Sequence, residues 1–322
     1  MVNRVKGRMK EPAAQPMRHL NSLMDLSRAD VDEIFELTKT LKDRWVEGDR
    51  PQVLTGHVLT QVFEKPSLRT RVSFEAAMMQ LGGSSIFLSA KEAGIGGREA
   101  VRDVARVLGG YNDVIVLRTF SQQLIDDFIR HAGKPIINGL SDTRHPCQAL
   151  TDLYTAAEVC GKLPGCKFVF VGDGNNVATS LAAVCALLEV PLTICAPENY
   201  RLTDEFLADL HGTFPDAEIT QTSNFQTALA DAAVIYTDVW TSMGQESEDE
   251  ERKRVFGPYQ VNACLLKHAP PSAKFMHCLP AKRGREVTDE VLDGPQSIVW
   301  QQAENRMHLA KGLLCWVLGK TV

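Results

Sequence analysis

Hydroxyl and guanidinium side chains are concentrated where the first apolar run of the sequence ends. The run Val58–Phe63 is followed by Glu-Lys-Pro and then by Ser67-Leu-Arg69-Thr70. If a helix begins there, its first turn offers unpaired N–H groups and a partial positive charge, which favour a phosphate, and an arginine adds paired hydrogen bonds. The spacing also fits an ordinary capped helix with an arginine on the surface. It lacks the Gly-x-x-x-x-Gly-Lys pattern of triphosphate-binding loops.

Two further groups of polar residues follow apolar runs in the first half of the chain. Arg118 closes the run Val114–Leu117, either as a second cation for a dianion or as a solvated strand end. Pro146 suits the first position of a helix, which leaves His145 as the cap and Gln148 one turn on. Together, His145 and Gln148 could donate to a carbonyl oxygen and accept from an amide NH₂. A single histidine at a helix start is more often structural, so this pair carries meaning only with the other motifs.

The second half of the chain contains a glycine-rich turn, Gly172-Asp-Gly174-Asn175-Asn176. It is similar to a dinucleotide-binding fingerprint, but Val177 stands in place of the third glycine and no acidic residue follows the next apolar run. A pyrophosphate site is therefore disfavoured. The two side-chain amides suit a carboxylate or an amino group instead.

Three later segments could complete a site. Asp238 begins the loop Asp-Val-Trp-Thr-Ser-Met-Gly and could hold a substrate ammonium or cap a helix. Cys278 lies in a His-Cys-Leu-Pro turn, either as a reactive thiol or as a buried apolar side chain. Arg306, near the start of the last helix, could supply a third guanidinium.

Short apolar runs alternate with stretches of helical periodicity, which predicts parallel sheets with helical crossovers. We expect strands at Val58–Phe63, Ser85–Leu88, Val114–Leu117, Pro135–Asn138, Phe168–Val171, Leu192–Cys195, Glu218–Thr222, Val234–Thr237 and Phe275–His277. We expect helices at Arg71–Leu81, Val101–Leu108, Ala149–Cys160, Val177–Leu188 and Glu304–Leu318. In open parallel sheets, ligands bind at the carboxyl ends of the strands, where the polar residues above converge.

A turn-rich segment at residues 161–166 divides the strand series near its middle. The predicted fold is therefore α/β, with two doubly wound domains, each with a central parallel sheet, joined by interdomain helices. We assign residues 1–18 to an N-terminal extension, 19–148 to the first domain and 149–303 to the second. Residues 304–322 form a C-terminal helix that returns to the first domain.

Composition excludes several classes of protein. The chain has 322 residues, 44% hydrophobic and 23% charged, which suits about two globular domains. No apolar run approaches the ~20 residues of a membrane helix. The net charge of −5 argues against nucleic-acid binding. Eight cysteines without a Cys-x-x-Cys pair argue against structural zinc and for free thiols in a reducing cytosol. Lys6, Lys10 and Glu11 argue against a mitochondrial presequence, so we expect a cytoplasmic protein.

In this order, the motifs resemble the carbamoyltransferase family, and most closely its ornithine-specific members. The resemblance covers the chain from about His19 to the C-terminus. The shared segments are Ser67-Leu-Arg69-Thr70, Arg118, His145-Pro-Cys-Gln148, Asp238-Val-Trp-Thr-Ser-Met-Gly244, His277-Cys-Leu-Pro280 and the segment around Arg306.

The resemblance implies transfer of a carbamoyl group from carbamoyl phosphate to the δ-amine of L-ornithine, giving L-citrulline and phosphate. It also implies a homotrimer, with no metal and no organic cofactor. By matching position, the carbamoyl-phosphate ligands would be Ser67, Leu68, Arg69, Thr70, Arg118, His145, Gln148, Cys278, Leu279 and Arg306. The ornithine ligands would be Asn176, Asp238, Ser242 and Met243. Arg69, His145 and Cys278 would be catalytic: the first two at the carbonyl oxygen, and the thiol, with Asp238, in orienting ornithine and assisting loss of its proton.

Two departures from the family pattern leave questions open. Leu68 stands where the family often has Thr, so we expect that position to contribute its backbone N–H. The loop Lys91–Arg98 corresponds to one that reaches a neighbouring subunit in the family, and Lys91 and Arg98 are the candidates for that contact.

Alternative acceptors are N-acetylornithine, putrescine and aspartate. A nicotinamide-dependent oxidoreductase and a catalytically silent scaffold are the alternatives from other classes.

Overall fold

The computed structural model describes residues 17–95, 97–241 and 246–322. Nearly all of the expected N-terminal extension, residues 1–16, lies outside this part of the chain. The strands are β1 (Val58–Phe63), β2 (Ser84–Ser89), β3 (Val114–Arg118), β4 (Ile136–Leu140), β5 (Phe168–Val171), β6 (Leu192–Cys195), β7 (Ile219–Thr222), β8 (Val234–Thr237) and β9 (Lys274–His277). The α-helices are α1 (Arg28–Val46), α2 (Leu68–Gln80), α3 (Val101–Tyr111), α4 (Gln122–His131), α5 (Pro146–Cys160), α6 (Asn176–Leu187), α7 (Asp204–Thr213), α8 (Phe225–Leu229), α9 (Asp249–Phe256), α10 (Ala263–Leu266), α11 (Asp289–Leu292) and α12 (Val299–Val317).

The strands form two wholly parallel sheets, which confirms the predicted α/β class. The first sheet has the order β2-β1-β3-β4 and the second has the order β7-β6-β5-β8-β9. The central strands are buried along their whole length, as expected for parallel strands covered by helices on both faces. Each predicted strand is present, with ends within two residues of the expected positions, because most of them are compact apolar runs; β7, with the sequence Ile-Thr-Gln-Thr, is marked instead by its β-branched residues.

Helix starts differ more from the sequence expectation. Helices α2, α5 and α12 begin at Leu68, Pro146 and Val299, ahead of the expected Arg71, Ala149 and Glu304. In α2 and α5 the first turn is polar, so hydrophobic periodicity alone misses it, whereas the cap and the proline mark it.

Helix α1 was missed by the periodicity analysis. Its start carries a capping box, in which Ser27 Oγ accepts from Asp30 N–H and the Asp30 carboxylate accepts from Ser27 N–H at 2.9 Å. Such a Ser-x-x-Asp pattern ahead of an apolar series is a helix-start signal that the sequence did contain.

The strand order reverses direction between β1 and β3 in the first sheet and between β5 and β8 in the second. Crevices outside the carboxyl ends of strands at such reversal points are the preferred ligand sites of open α/β sheets. One cavity is lined by residues that follow β1, β3, β5, β8 and β9, and therefore receives loops from both reversal points.

Helices α5 and α12 hold the two sheets together. The first eleven residues of α5 are buried. Helix α12 contacts α1, α2 and α5 and also β9 of the second sheet. Gly312 permits the close approach of α12 to α1, since a Cβ there would overlap Thr38 Oγ1 and lie 2.9 Å from the Ile34 carbonyl oxygen. Arg306, on α12, is thereby placed next to α2, with its guanidinium group over the Phe74 ring.

Among the described residues, no helix has both the length and the apolar character that crossing a bilayer requires.

Candidate active site

The first turn of α2 forms one wall of the cavity. Ser67 is the N-cap, and its Oγ accepts from Thr70 N–H at 3.3 Å. No hydrogen bond within the described residues uses the N–H of Leu68 or Arg69. The Leu68 side chain is exposed, so this position can offer its N–H but no side-chain donor. The helix start therefore presents free donors and a partial positive charge to the cavity.

Three arginines from distant parts of the chain surround this helix start. Arg69 belongs to α2, Arg118 ends β3 and Arg306 lies on α12. Arg118 is 6% exposed and Arg306 is 2% exposed. Arg118 Nε and both Nη atoms of Arg306 are buried without a hydrogen-bond partner among the described residues. Buried donors without partners are rare in native proteins and point to a ligand that completes them.

The three charges repel one another. Burial, and then Arg306 and Arg69, lower the pKa of Arg118 to about 10. Burial also lowers the pKa of Arg69, and Arg306 lowers it further. Both arginines still carry a charge at neutral pH, so this end of the cavity is a preformed site for a multiply charged anion.

His145 lies beside the arginines at the start of α5. It occupies the N-cap position without a side-chain cap bond, and its backbone N–H donates to Ser180 Oγ at 2.7 Å. Burial, followed by Arg118, Arg306 and Arg69, holds the pKa of His145 well below 6.5. The ring is therefore neutral at physiological pH, with one donor and one acceptor nitrogen. A neutral imidazole can donate to a carbonyl oxygen without adding a further positive charge.

The side-chain amide of Gln148 has its NH₂ group hydrogen-bonded and its oxygen available. Its Nε2 donates to Asp152 Oδ1 at 2.8 Å, behind the cavity. Because Gln148 lines the cavity, its Oε1 remains as an acceptor for a ligand NH₂.

The opposite end of the cavity carries a carboxylate. Asp238 directly follows β8 and is 8% exposed. Its Oδ2 accepts from Asn175 Nδ2 at 3.0 Å, and its Oδ1 accepts from the Cys278 thiol at 3.0 Å. The carboxylate is thus held in one orientation, where it can bind an ammonium group.

Cys278 is a thiol donor in this arrangement. Burial and the neighbouring Asp238 raise the pKa of Cys278 well above 9.0. Through this hydrogen bond the thiol can orient Asp238, and a part for Cys278 in proton loss from the substrate amine stays a prediction.

A buried histidine shapes the turn after β9. His277 Nδ1 accepts from Leu279 N–H at 2.8 Å, so Nε2 carries the proton toward Glu286 Oε1, 3.3 Å away. Leu279 has a φ of +57°, an unusual conformation for a leucine, which this bond stabilises. With the Leu279 N–H occupied, the turn can offer its carbonyl oxygens to a ligand.

The remaining ornithine candidates divide into described and undescribed residues. Asn176 lines the cavity, and its Nδ2 donates to the Ser141 carbonyl oxygen at 2.7 Å, which leaves its side-chain oxygen available. Ser242 and Met243 lie outside the described residues.

Apart from Ser242 and Met243, all of the predicted site residues line one cavity of about 820 Å³. Sequence analysis missed several residues that also line it: Lys65, Leu140, Val177, Val239, Thr241, Asp249, Pro280 and Lys282. Lys65 adds a fourth cation, and burial and Arg118 lower its pKa. Its position, two residues before Ser67, was a signal that could have been used. Asp249 lies in the charged run Glu246–Arg254, in which no single residue stands out from the sequence.

Asp238, His277 and Cys278 place their possible ligand atoms within 4.8 Å of one another, so this group could hold a metal ion. Both ring nitrogens of His277 already have partners in Leu279 and Glu286. The absence of a metal stays a prediction of the sequence analysis.

Comparison with known proteins places this site in a family. Residues 18–158 match the model of the aspartate/ornithine carbamoyltransferase carbamoyl-P binding domain. Residues 164–317 match the model of the Asp/Orn binding domain of the same family. The chain belongs to the aspartate/ornithine carbamoyltransferase family. Its two family domains bind carbamoyl phosphate and the acceptor amino acid, respectively.

Several members of this family are similar to the chain over nearly its whole length. An ornithine carbamoyltransferase of Bacillus subtilis (strain 168) is 47% identical over 305 residues, which cover 94% of each chain. The structure of ornithine carbamoyltransferase from Pyrococcus furiosus superposes with a TM-score of 0.91 at 44% identity, covering 95% of this chain and 98% of that one. The enzyme from Thermus thermophilus gives a TM-score of 0.84 at 40% identity, covering 93% and 98%.

Membership of this family does not favour the oxidoreductase alternative, and the geometry of the glycine-rich turn agrees. Asp173, in the middle of that turn, forms a salt bridge with Arg252 at 2.7 Å. Asn175 Oδ1 caps α6 by accepting from the N–H groups of Val177 and Ala178. An anionic side chain and an occupied helix start leave no favourable place for a pyrophosphate.

Proposed function

We propose that this member of the family transfers the carbamoyl group of carbamoyl phosphate to the δ-amine of L-ornithine, giving L-citrulline and phosphate, in arginine biosynthesis. One observation carries this proposal: a single cavity has at one end buried guanidinium nitrogens that lack a hydrogen-bond partner among the described residues, and at the other an oriented carboxylate. The first end suits a phosphate dianion and the second suits the α-ammonium of an amino acid.

Carbamoyl phosphate would bind with its phosphate at the start of α2. The hydroxyls of Ser67 and Thr70 and the N–H of Leu68 would donate to the phosphate oxygens. The guanidinium groups of Arg69, Arg118 and Arg306 supply charge and paired hydrogen bonds. We assign the carbonyl oxygen to Arg69 and His145, whereas the carbamoyl NH₂ donates to Gln148 Oε1 and to the carbonyl oxygens of the Cys278–Leu279 turn.

Ornithine would bind at the other end through its α-amino and α-carboxylate groups. Asp238, held by Asn175 and Cys278, accepts from the ammonium. We assign the carboxylate to Asn176 together with Ser242 and Met243, and this leaves the side chain to extend toward the carbamoyl carbon.

The reaction begins when the δ-amine has lost its proton, since its pKa of about 10 keeps it protonated in water. The nitrogen lone pair forms a bond to the carbamoyl carbon, and the carbonyl electrons move to the oxygen, which faces Arg69 and His145. The carbonyl double bond then re-forms as the C–O bond to phosphate breaks, the electron pair leaves with the phosphate, and the second proton of the amine nitrogen passes to the departing phosphate. Donors fixed at the oxygen and at the leaving group lower the barrier without reorganising during the reaction.

We also propose how the chain divides this work. Residues 19–148 form the carbamoyl-phosphate domain, residues 149–303 form the ornithine domain, and residues 304–322 return Arg306 to the first domain. The packing of α12 against α1 and α2 supports this division.

We propose a homotrimer, in which a second copy covers α2 and the edge strand β2. Exposed apolar side chains lie on the outer face of α2 and on β2: Leu68, Val72, Met79 and Ile86. Such a patch next to the cavity suits a subunit interface, and it would bring the Lys91–Arg98 loop to a neighbouring site. Met79→Glu should reduce the mass measured by light scattering from three chains to one. The control Trp300→Glu, at an exposed apolar residue of α12, should leave the mass unchanged.

We place the reaction in the cytoplasm. All eight cysteines are free, which suits a reducing compartment.

A citrulline assay tests the proposed function. Carbamoyl phosphate is supplied with ornithine, N-acetylornithine, putrescine or aspartate, and product is measured for each acceptor. Citrulline from ornithine alone supports the proposal. Turnover with another amine would preserve the carbamoyl-phosphate half and overturn the assignment of Asp238. No turnover with any acceptor would overturn the activity.

A further inference from the structure

A buried carboxylate lies behind Gln148, outside the cavity. Asp152, one turn further along α5, is 0% exposed, and Gln302 of α12 is 1% exposed. Asp152 Oδ1 accepts two amide donors: Gln148 Nε2 at 2.8 Å and Gln302 Nε2 at 2.7 Å. Neither Asp152 nor Gln302 lines the cavity.

The same chain of hydrogen bonds continues to the other side of the site. Gln302 Oε1 accepts from the backbone N–H of His277 at 3.0 Å. His277 ends β9 and directly precedes Cys278, which binds Asp238. A continuous path of hydrogen bonds therefore joins α5, α12 and the end of β9.

This arrangement leaves each amide only one favourable orientation. Because Asp152 Oδ1 is an acceptor, both glutamines must turn their NH₂ groups toward it. Gln302 then presents its oxygen to His277 N–H, and Gln148 presents its oxygen to the cavity. A rotated Gln148 amide would place two acceptor oxygens against each other in a buried site, which is costly.

We propose that Asp152 and Gln302 are positioning residues, which act through Gln148 and the turn at Cys278 to hold the Gln148 amide oxygen toward the carbamoyl NH₂. This inference rests on the proposed function. It adds two residues whose effect on the substrate is transmitted entirely through their neighbours.

The orienting role does not require a charge on Asp152. Burial raises the pKa of Asp152 to about 7, although Gln302, Gln148 and Tyr236 each act to lower it. Among the described residues the carboxyl Oδ2 has no hydrogen bond of ordinary geometry, and the Tyr236 hydroxyl is its polar neighbour, so a proton can reside there while Oδ1 still accepts both amides. An asparagine can supply the same acceptor, whereas a leucine of similar size cannot.

The first experiment compares Asp152→Asn with Asp152→Leu. We expect Asp152→Asn to retain most of the activity and Asp152→Leu to lose on the order of 100-fold in kcat/KM for carbamoyl phosphate, the effect of a misplaced group at a reacting centre. Competitive inhibition by inorganic phosphate should be unchanged in both variants, because phosphate is bound by the arginines. A parallel loss of phosphate inhibition in Asp152→Leu would indicate general damage to the site and would overturn the inference. So would an Asp152→Asn variant as poor as Asp152→Leu.

A double-mutant cycle with Gln148→Leu tests whether the effect of Asp152 on the reaction requires Gln148. If Asp152 acts through Gln148, then Asp152→Leu should have little further effect in the Gln148→Leu background. Equal losses in both backgrounds would show that Asp152 acts independently of Gln148 and would refute the proposal. Gln302→Leu should reproduce the Asp152→Leu pattern, with phosphate inhibition again unchanged. Failure of the proposed function would appear differently, as absence of citrulline formation by the unmodified protein.

Discussion

Replacing Arg118 by glutamine tests whether repulsion between the buried arginines lowers the free energy of unfolding of the unliganded protein. Burial and two neighbouring arginines lower the pKa of Arg118 from 12.5 to about 10. At 1.36 kcal/mol for each pKa unit, the folded protein without ligand is destabilised by about 3 kcal/mol through this charge. Glutamine keeps much of the side-chain length without the charge, so Arg118→Gln should raise the free energy of unfolding of the unliganded protein by up to about 3 kcal/mol.

The same substitution should impair the reaction. Loss of one charge-assisted donor at a developing anion costs about 10²–10³ in kcat. The variant would therefore be more stable and less active, as expected where a functional site is strained by its own charges.

The assay is urea unfolding in anion-free buffer and then in saturating phosphate, at equal protein concentrations. Phosphate should stabilise the unmodified protein through linkage to binding and should stabilise Arg118→Gln much less. Arg106→Gln, at an exposed arginine of α3, is the matched control and should change the free energy of unfolding by less than about 0.5 kcal/mol. A variant less stable than the unmodified protein without anions would refute the reasoning.

Three further predictions concern single residues. Arg69→Ala should lower turnover by about 10²–10³, because it removes a donor from both the phosphate and the carbonyl oxygen, and should leave the circular dichroism spectrum unchanged; near-normal turnover would remove Arg69 from the mechanism. Asp238→Asn should raise the KM for ornithine by at least about tenfold through loss of a charge-assisted hydrogen bond, with the KM for carbamoyl phosphate unchanged as the internal control; an unaltered KM for ornithine would contradict the assignment. His308 is buried, with Nε2 at 3.5 Å from Glu304 Oε1 as its nearest acidic partner, and burial and Lys311 lower its pKa from 6.5 to about 3. Unfolding therefore takes up a proton below pH 6.5, and this group should reduce the free energy of unfolding by about 2 kcal/mol between pH 7 and pH 5. The comparison is with His308→Leu in urea titrations at both pH values, and equal pH dependence of the two proteins would exclude His308 as the cause.

Most of the candidate site could be named from the sequence because its chemistry depends on residue type. An arginine is charged in nearly any surroundings. The position of a serine or histidine at the N-terminus of a helix is set by the residues next to it in the sequence. The strands were predictable for a related reason: most are compact apolar runs, such as Phe168–Val171, whose neighbours along the chain already mark their ends.

What remained hidden from the sequence depends on contacts between residues far apart in the chain. Asp152 gives no signal of its own in a helix, and it gains its role from Gln302, 150 positions later. The lowered pKa of Lys65 likewise depends on distant segments, because it follows from burial and from Arg118 at the end of the neighbouring strand β3.

The sequence by itself determined the α/β alternation and the set of groups available for chemistry, because local hydrophobicity and side-chain type act over a few residues. Tertiary structure alone decided the state of those groups: a neutral His145, a protonated Cys278 and a Gln148 amide with its oxygen toward the cavity. Burial, nearby charge and hydrogen-bond partners set protonation and amide orientation, and all three exist only after distant segments have packed together.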